Sequence, residues 1–142
     1  MELISRDQIN DEVKQYIVNQ DELLYIHHYH LQLVDNIPHA LADTYIPYSL
    51  FKDIFPVLRD SAIDLYVLME KLGYPVTQKE ERLYVDMPTP KEQKFLELLH
   101  NKQQQVVRLD CRVWSNSTLV EICILCDRGD LYEFNYNVSM NS

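Results

Sequence analysis

The spacing of apolar residues changes near Val106, and this change limits what the whole chain can fold into. Before it, apolar residues recur every three or four positions, the spacing that places them on one face of a helix. After it, they recur every second position in three runs separated by turn residues, which is typical of strands. The sequence therefore predicts an α+β protein, a helical N-terminal half packed on a C-terminal antiparallel sheet.

The N-terminal helical layer is predicted to cover residues 1–73. Ser5 and Gln8 match a capping box, which favours a helix start at this point. A second helix is expected over 22–34, followed by a connector over 38–47. A longer helical stretch is expected over 48–72. Each predicted helix follows from apolar residues that recur at helical spacing.

The C-terminal half is predicted to contain one short strand, one helix and a three-strand meander, within 82–139. Thr89 and Glu92 match a second capping box, with Pro90 at the first helical position. The predicted strands span 82–87, 105–114, 118–126 and 131–138, and the helix spans 90–101. Since no linker interrupts the chain, we expect one domain over residues 1–142.

Glycine content and hydropathy exclude several classes of protein. The chain contains 2 glycines, too few for a glycine-rich phosphate-binding loop. No apolar run approaches the roughly 20 residues of a membrane span, and no secretory signal is visible at the N-terminus. The sequence therefore predicts a cytoplasmic protein without a membrane partner and without a cofactor.

Negative charge is concentrated in the N-terminal half. The net charge is −9, and residues 1–71 carry 12 acidic and 5 basic side chains. Between residues 15 and 51 there is no Lys or Arg. An acidic surface repels the phosphate backbone of nucleic acids and attracts basic protein surfaces. The same acidity also increases solubility. We therefore expect a protein partner with a basic surface rather than nucleic acid, and leave a homo-oligomer open.

Acidic residues and tyrosines on the predicted second helix and its connector form the candidate partner-binding face. Tyrosine is enriched at interfaces because it offers a large contact area and a polar tip. The candidate residues are Asp21, Glu22, Tyr25, Tyr29, Asp35 and Asp43. The leading hypothesis is a small protein-binding module, such as an inhibitor, an adaptor or an immunity-type protein, acting through this face.

Histidines supply the alternative hypothesis, a His-based or metal-dependent enzyme. His27 and His30 lie one turn apart on the predicted helix, and His39 follows on the connector. Two such imidazoles on one face can reach one metal ion. No further motif supports the set, so a structural role without a metal is the expectation. The Cys123 and Cys126 pair has C-x-x-C spacing inside an extended apolar run and is expected to be buried as free thiols.

A third hypothesis is a winged-helix-like nucleic-acid-binding regulator. The helix predicted over 90–101 carries Lys91 and Lys94, and a hairpin with Arg128 at its tip follows. These are the parts that a winged-helix reader uses. The acidic composition argues against this hypothesis, because DNA-binding domains usually carry a basic surface.

Overall fold

A six-stranded antiparallel sheet dominates the part of the chain that the computed structural model describes. That part comprises residues 1–19, 21–58, 64–98, 104–133, 135, 137 and 140. The strands are β1 (Glu2–Ser5), β2 (Leu24–Val34), β3 (Ile37–Pro47), β4 (Gln78–Asp86), β5 (Val106–Ser115) and β6 (Thr118–Arg128). The helices are α1 (Asp11–Lys14), α2 (Tyr48–Phe51), α3 (Leu65–Lys71) and α4 (Pro90–Phe95). The strand order is β1-β2-β3-β6-β5-β4.

The hairpin of β2 and β3 replaces the helix predicted over 22–34 and the connector over 38–47. Asp35 and Asn36 form its two-residue turn, with φ angles of 50° and 63°. Positive φ at both central residues is the requirement of a type I′ turn, whose twist matches that of paired strands. The helix prediction was wrong because the apolar spacing of this segment fits a helix, whereas pairing with β1 and β3 makes it a strand. Its aromatic residues also suit a strand.

The predicted fold class is therefore wrong, since the N-terminal half supplies half of the sheet instead of a helical layer. Its helices are short. The capping box of Ser5 and Gln8 starts a single 3-10 turn, with the Ser5 amide donating to Gln8 Oε1 over 3.0 Å. Asn10 caps the four-residue α1. The predicted stretch 48–72 contains only α2, a 3-10 turn and α3 in its described portion.

The C-terminal half follows the sequence pattern more closely. The β5–β6 hairpin turns at Asn116 and Ser117, between the two strands predicted there. Thr89 caps α4, with Pro90 inside its first turn. Strand β4 begins four residues before the predicted 82–87. The predicted strand 131–138 is wrong in its described part, since Leu131 ends a 3-10 turn (Gly129–Leu131) and the other described positions are in no strand. Positions 134, 136 and 138 lie outside the described residues.

Two layers of short elements cover the two faces of the sheet. On one face, α1 and the end of α4 pack on the strands, and we call this the pocket face. Its buried apolar residues are Ile9, Val13, Ile17, Tyr25, Leu41, Tyr45, Leu96, Leu98, Val106, Leu119, Ile122 and Cys126. On the opposite face, α2 and α3 cover Ile26, Ile46, Cys111, Val113 and Val120. Both faces of the central strands are therefore buried.

Cysteine side chains separate to the two faces, as expected for residues three apart on a strand. Cys123 packs into the core of the opposite face, and Cys126 into that of the pocket face. All three cysteines are free thiols, and burial raises the pKa of Cys111 to about 11. Glu121 is also buried on the opposite face, where its carboxylate accepts a hydrogen bond of 2.7 Å from the Tyr66 hydroxyl.

Candidate binding pocket

A cavity of about 520 Å³ opens on the pocket face of the sheet. Its floor comes from five strands, with Tyr29, Leu41, Asp43, Arg82, Tyr84, Asp86, Arg108, Asp110, Ile124 and Cys126. Its walls come from the α1 region and the segment leading into α4, with Asn10, Glu12, Val13, Gln15, Tyr16, Met87, Thr89 and Glu92. The volume lies within the roughly 300–1,000 Å³ range of small-molecule sites.

Strand alternation brings the charged residues of the floor together. Arg108 and Asp110 lie two positions apart on β5, so their side chains point to the same face. In the register of β4 and β5, Tyr84 is opposite Arg108 and Arg82 is opposite Asp110. Four polar side chains from two adjacent strands therefore meet on one side of the cavity.

Arg108 is held by carboxylates on two sides. Its Nη1 and Nη2 donate to the two oxygens of Glu92 over 2.6 and 2.8 Å, and its Nε donates to Asp86 over 2.8 Å. Burial favours the protonated form of Glu92, but hydrogen bonds from Arg108 and from the Thr89 amide outweigh it and lower the pKa of Glu92 to about 2. The guanidinium therefore ties β5 to the end of β4 and to α4.

Asp110 is a buried carboxylate whose observed partners are neutral. It is 7% exposed, and its Oδ2 accepts a hydrogen bond of 2.6 Å from the Tyr16 hydroxyl. The Tyr84 hydroxyl is 3.5 Å from the same oxygen. Among the described basic side chains, none lies within ion-pair distance of this carboxylate. Asp110 thus presents negative charge at the cavity floor.

Asp43 lies on the other side of the floor, where His27 contacts it. The Nε2 atom of His27 meets Asp43 Oδ1, and the Tyr45 hydroxyl donates to Oδ2 over 3.0 Å. On its other side, His27 Nδ1 is 3.2 Å from a Glu2 oxygen. The hydrogen bond to Asp43 is the main cause of the raised pKa of His27. The imidazole therefore lies between two carboxylates, and both favour its protonated form.

The structure disperses the six residues of the predicted partner-binding face. Tyr29 and Asp43 line the cavity. Tyr25 is 2% exposed in the core, and Glu22 is 7% exposed, accepting from the Ser49 hydroxyl. Asp35 lies in the β2–β3 turn, and Asp21 is exposed before β2. An acidic helical face formed by these residues does not exist, because the segment is a strand.

The histidines proposed as metal ligands do not converge. His27 points to the pocket face, whereas His30, three positions along the same strand, points to the opposite face and stacks on His28 at 4.5 Å. His39 lies on β3. Among the described residues, no group of three or more His, Cys, Asp or Glu side chains is placed to hold a metal ion.

The sequence of the chain matches a known domain family over nearly its whole length. The model of the UTRA domain matches residues 4–133. The chain belongs to the UTRA domain family. A comparison with curated proteins gives no match.

Solved structures similar to this UTRA domain share its fold at low sequence identity. One is a GntR-family transcriptional regulator from Bacillus cereus, 18% identical with a TM-score of 0.75, covering 97% of this chain and 93% of that one. Another is the effector domain of PhnF from Mycobacterium smegmatis, 17% identical with a TM-score of 0.73, covering 98% of this chain and 83% of that one. A third is the C-terminal domain of the histidine utilization repressor from Pseudomonas syringae pv. tomato, 16% identical with a TM-score of 0.72, covering 82% of this chain and 80% of that one.

These findings overturn the leading functional hypothesis and its alternative. The UTRA match and the similarity to domains of GntR-family regulators do not support an inhibitor, an adaptor or an enzyme centred on His27 and His30. The preference for a protein partner over nucleic acid is wrong for the same reason. Net charge could not decide this point, because a regulator can carry its DNA-binding surface on a separate domain. In the described residues, no helix is long and apolar enough to cross a membrane.

Sequence reasoning missed the polar floor of the pocket. Arg108 and Asp110 alternate with apolar residues on β5, and such residues are normally assigned to the solvent side of a half-buried strand. The signal that could have revealed them is the next strand, which is apolar on both faces near Ile122. A strand beside a doubly covered neighbour is itself covered, so its charged residues line an enclosed site.

Proposed function

We propose that this UTRA domain binds a small molecule in the cavity of its pocket face and acts as the effector domain of a GntR-type transcriptional regulator. The cavity is the observation that carries the proposal. It combines an apolar floor around Ile124 and Cys126 with convergent polar groups on β4 and β5. Small-molecule sites are clefts in which placed polar groups fix the orientation of the ligand.

The cavity is also placed where a ligand can change the arrangement of the domain. It lies between α1 and α4, which pack on different ends of the same sheet face. A ligand that contacts both walls favours the arrangement in which they are close, and shifts its population by its differential affinity. In the proposed role this shift is transmitted to a DNA-binding part of the regulator, in the cytoplasm. The names of the similar regulators support this role.

The test is a binding screen with a matched pair of cavity variants. Purified protein is screened by thermal shift against metabolite-sized compounds, and hits are measured by calorimetry. Ile124 lines the cavity, whereas its neighbour Leu125 points to the opposite face. Ile124→Phe fills the cavity and should weaken binding at least about tenfold, a change of about 1.4 kcal/mol. Leu125→Phe adds the same bulk on the other face and should leave affinity nearly unchanged.

Two results would contradict the proposal. One is that no compound stabilises the wild-type protein. The other is that the Ile124→Phe variant, folded by circular dichroism, binds a hit as tightly as the wild type does. In the second case the ligand site lies elsewhere on the domain.

A further inference from the structure

Charge in the pocket is distributed unequally, and this inequality bears on the ligand. Among the described residues, five carboxylates and two guanidinium groups line the cavity. The acidic residues are Glu12, Asp43, Asp86, Glu92 and Asp110. The basic residues are Arg82 and Arg108. The cavity therefore has an excess of negative charge before any ligand enters.

The buried basic group is unavailable for an anionic ligand. Arg108 donates to Glu92 through both terminal nitrogens and to Asp86 through Nε, and a further bond of 3.1 Å goes from Nη2 to the Met87 carbonyl. Every nitrogen of the guanidinium therefore has an acceptor within the protein. A phosphate or carboxylate would have to displace one of these carboxylates to reach it.

Asp110, unlike Arg108, has no ion-pair partner among the described residues. Its side chain is buried on the cavity floor, and its observed hydrogen-bond donors are the hydroxyls of Tyr16 and Tyr84. The nearby Arg82 interacts with the Tyr16 hydroxyl and with the charge of Asp110, but forms no ion-pair contact with this carboxylate. A buried carboxylate gains most from a positive group in direct contact. The rings of Tyr16 and Tyr84 line the same cavity, and aromatic faces attract cations.

We infer that the ligand of this pocket carries a positively charged nitrogen group, an ammonium, amidinium or guanidinium, which pairs with Asp110 between Tyr16 and Tyr84. The inference rests on the proposed ligand-binding function of the cavity. The rival ligand class is anionic, and Arg82 is the group that would favour it. Arg82 is exposed and lies over the Tyr84 ring at 4.4 Å. Arg82 is therefore hydrated, whereas Asp110 beside it on the floor is buried.

The experiment compares probes of similar size and different charge. Agmatine and glucosamine represent cations, glucose represents neutral compounds, and glucose 6-phosphate and succinate represent anions, within a wider panel grouped in the same way. Thermal shift and calorimetry on the wild type should rank a cation first. Asp110→Asn keeps the shape and the Tyr16 hydrogen bond but removes the charge, and should weaken the best cation at least about tenfold, since hydrogen bonds to charged groups contribute about 1.5–3 kcal/mol.

Two further variants separate this effect from a general loss of stability. Glu81→Gln removes one negative charge from the opposite face of β4 and should change cation affinity less than about twofold. Arg82→Gln removes the competing positive charge beside Asp110 and should strengthen cation binding and weaken anion binding. A variant that binds more tightly than the wild type cannot be explained by misfolding.

The outcomes distinguish this inference from the proposed function. If the tightest ligand is anionic or neutral and Ile124→Phe abolishes its binding, the pocket is the effector site but the inference about charge is wrong. If a cation binds best and Asp110→Asn has no effect, the inference is also wrong. If no probe or panel compound binds at all, both proposals fail.

Discussion

Arg108 connects three segments around the pocket, β5, the end of β4 and α4. Its side chain is 13% exposed and that of Glu92 is 12% exposed, so both charges are largely withdrawn from water. The positive charge of Arg108 and the negative charge of Glu92 neutralise each other. Removing one partner of such a pair leaves the other buried without a counter-charge. The capping box that begins α4 fixes Glu92 in place, since its carboxylate also accepts from the Thr89 amide over 2.8 Å.

Replacing Arg108 by Gln should lower the free energy of unfolding by about 3 kcal/mol at pH 7, because Glu92 is left unpaired. The pKa of Glu92 is lowered to about 2. Its stabilisation is therefore present above the ordinary value near 4.5 and is lost as the pH falls towards 2. Urea unfolding between pH 7 and pH 3 should show this loss in the wild type and much less of it in the variant.

Arg112 provides the matched control on the same strand. Its ion pair with Glu80 is more exposed, since the Arg112 side chain is 26% exposed and the Glu80 side chain is 40% exposed. Arg112→Gln should therefore cost only about 0–1 kcal/mol, the usual value of a surface pair. Equal losses in the two variants would show that Arg108 and Glu92 are not a buried pair.

Among the elements, β2 shows how one strand gives its neighbouring histidines different environments. His27 faces Asp43 and Glu2 on the pocket face, whereas His28 and His30 stack on each other on the opposite face. The alternation of a strand produces this separation over four residues. On a helix, His27 and His30 would have shared one face, as the sequence-based prediction assumed.

The three histidines should titrate on opposite sides of the ordinary imidazole pKa, about 6.5. The hydrogen bond to Asp43 raises the pKa of His27, and burial lowers the pKa of His28 and of His30. A nitrogen-15 NMR titration should show this order. The stabilisation from His27 is present below 6.5 and is lost as the pH rises through its higher folded value.

Asp43→Asn identifies the cause of the His27 shift. The variant should bring the pKa of His27 down towards or below the ordinary value while leaving His28 and His30 unchanged. A wild-type value for His27 below 6.5, or an unchanged value in the variant, would show that the contact with Asp43 is not formed in solution.

Elements whose signals are local were predictable from sequence, and those decided by distant contacts were not. The β5–β6 hairpin and the cap of α4 follow from patterns within a few residues. Strand β2 carries an apolar spacing that fits a helix, and what decides its state is pairing with β1 and β3. Tertiary context outweighs intrinsic preference in such segments. The pocket was missed with β2 and β3, because two of its floor strands were absent from the predicted sheet.

At the scale of the whole molecule, the sheet joins the two halves of the chain through one seam. Strand β3 of the N-terminal half pairs with β6 of the C-terminal half, with Tyr45 opposite Ile122. No sequence pattern specifies which strands of two separate hairpins become neighbours, so this order could not be predicted. Once the order is known, the seam between the hairpins is the centre of the sheet and β1 and β4 are its edges.

This order predicts a steep gradient of mutational cost from the seam to the edge. Ile122 is 1% exposed in β6, and Val85 is 55% exposed in the edge strand β4. Ile122→Ala should lower the free energy of unfolding by about 2–5 kcal/mol through lost burial and a residual cavity. Val85→Ala should change it by no more than about 0.5 kcal/mol, as for other surface positions. Urea unfolding of both variants checks the gradient, and a loss below about 1 kcal/mol at Ile122 would mean that β6 does not join the two hairpins.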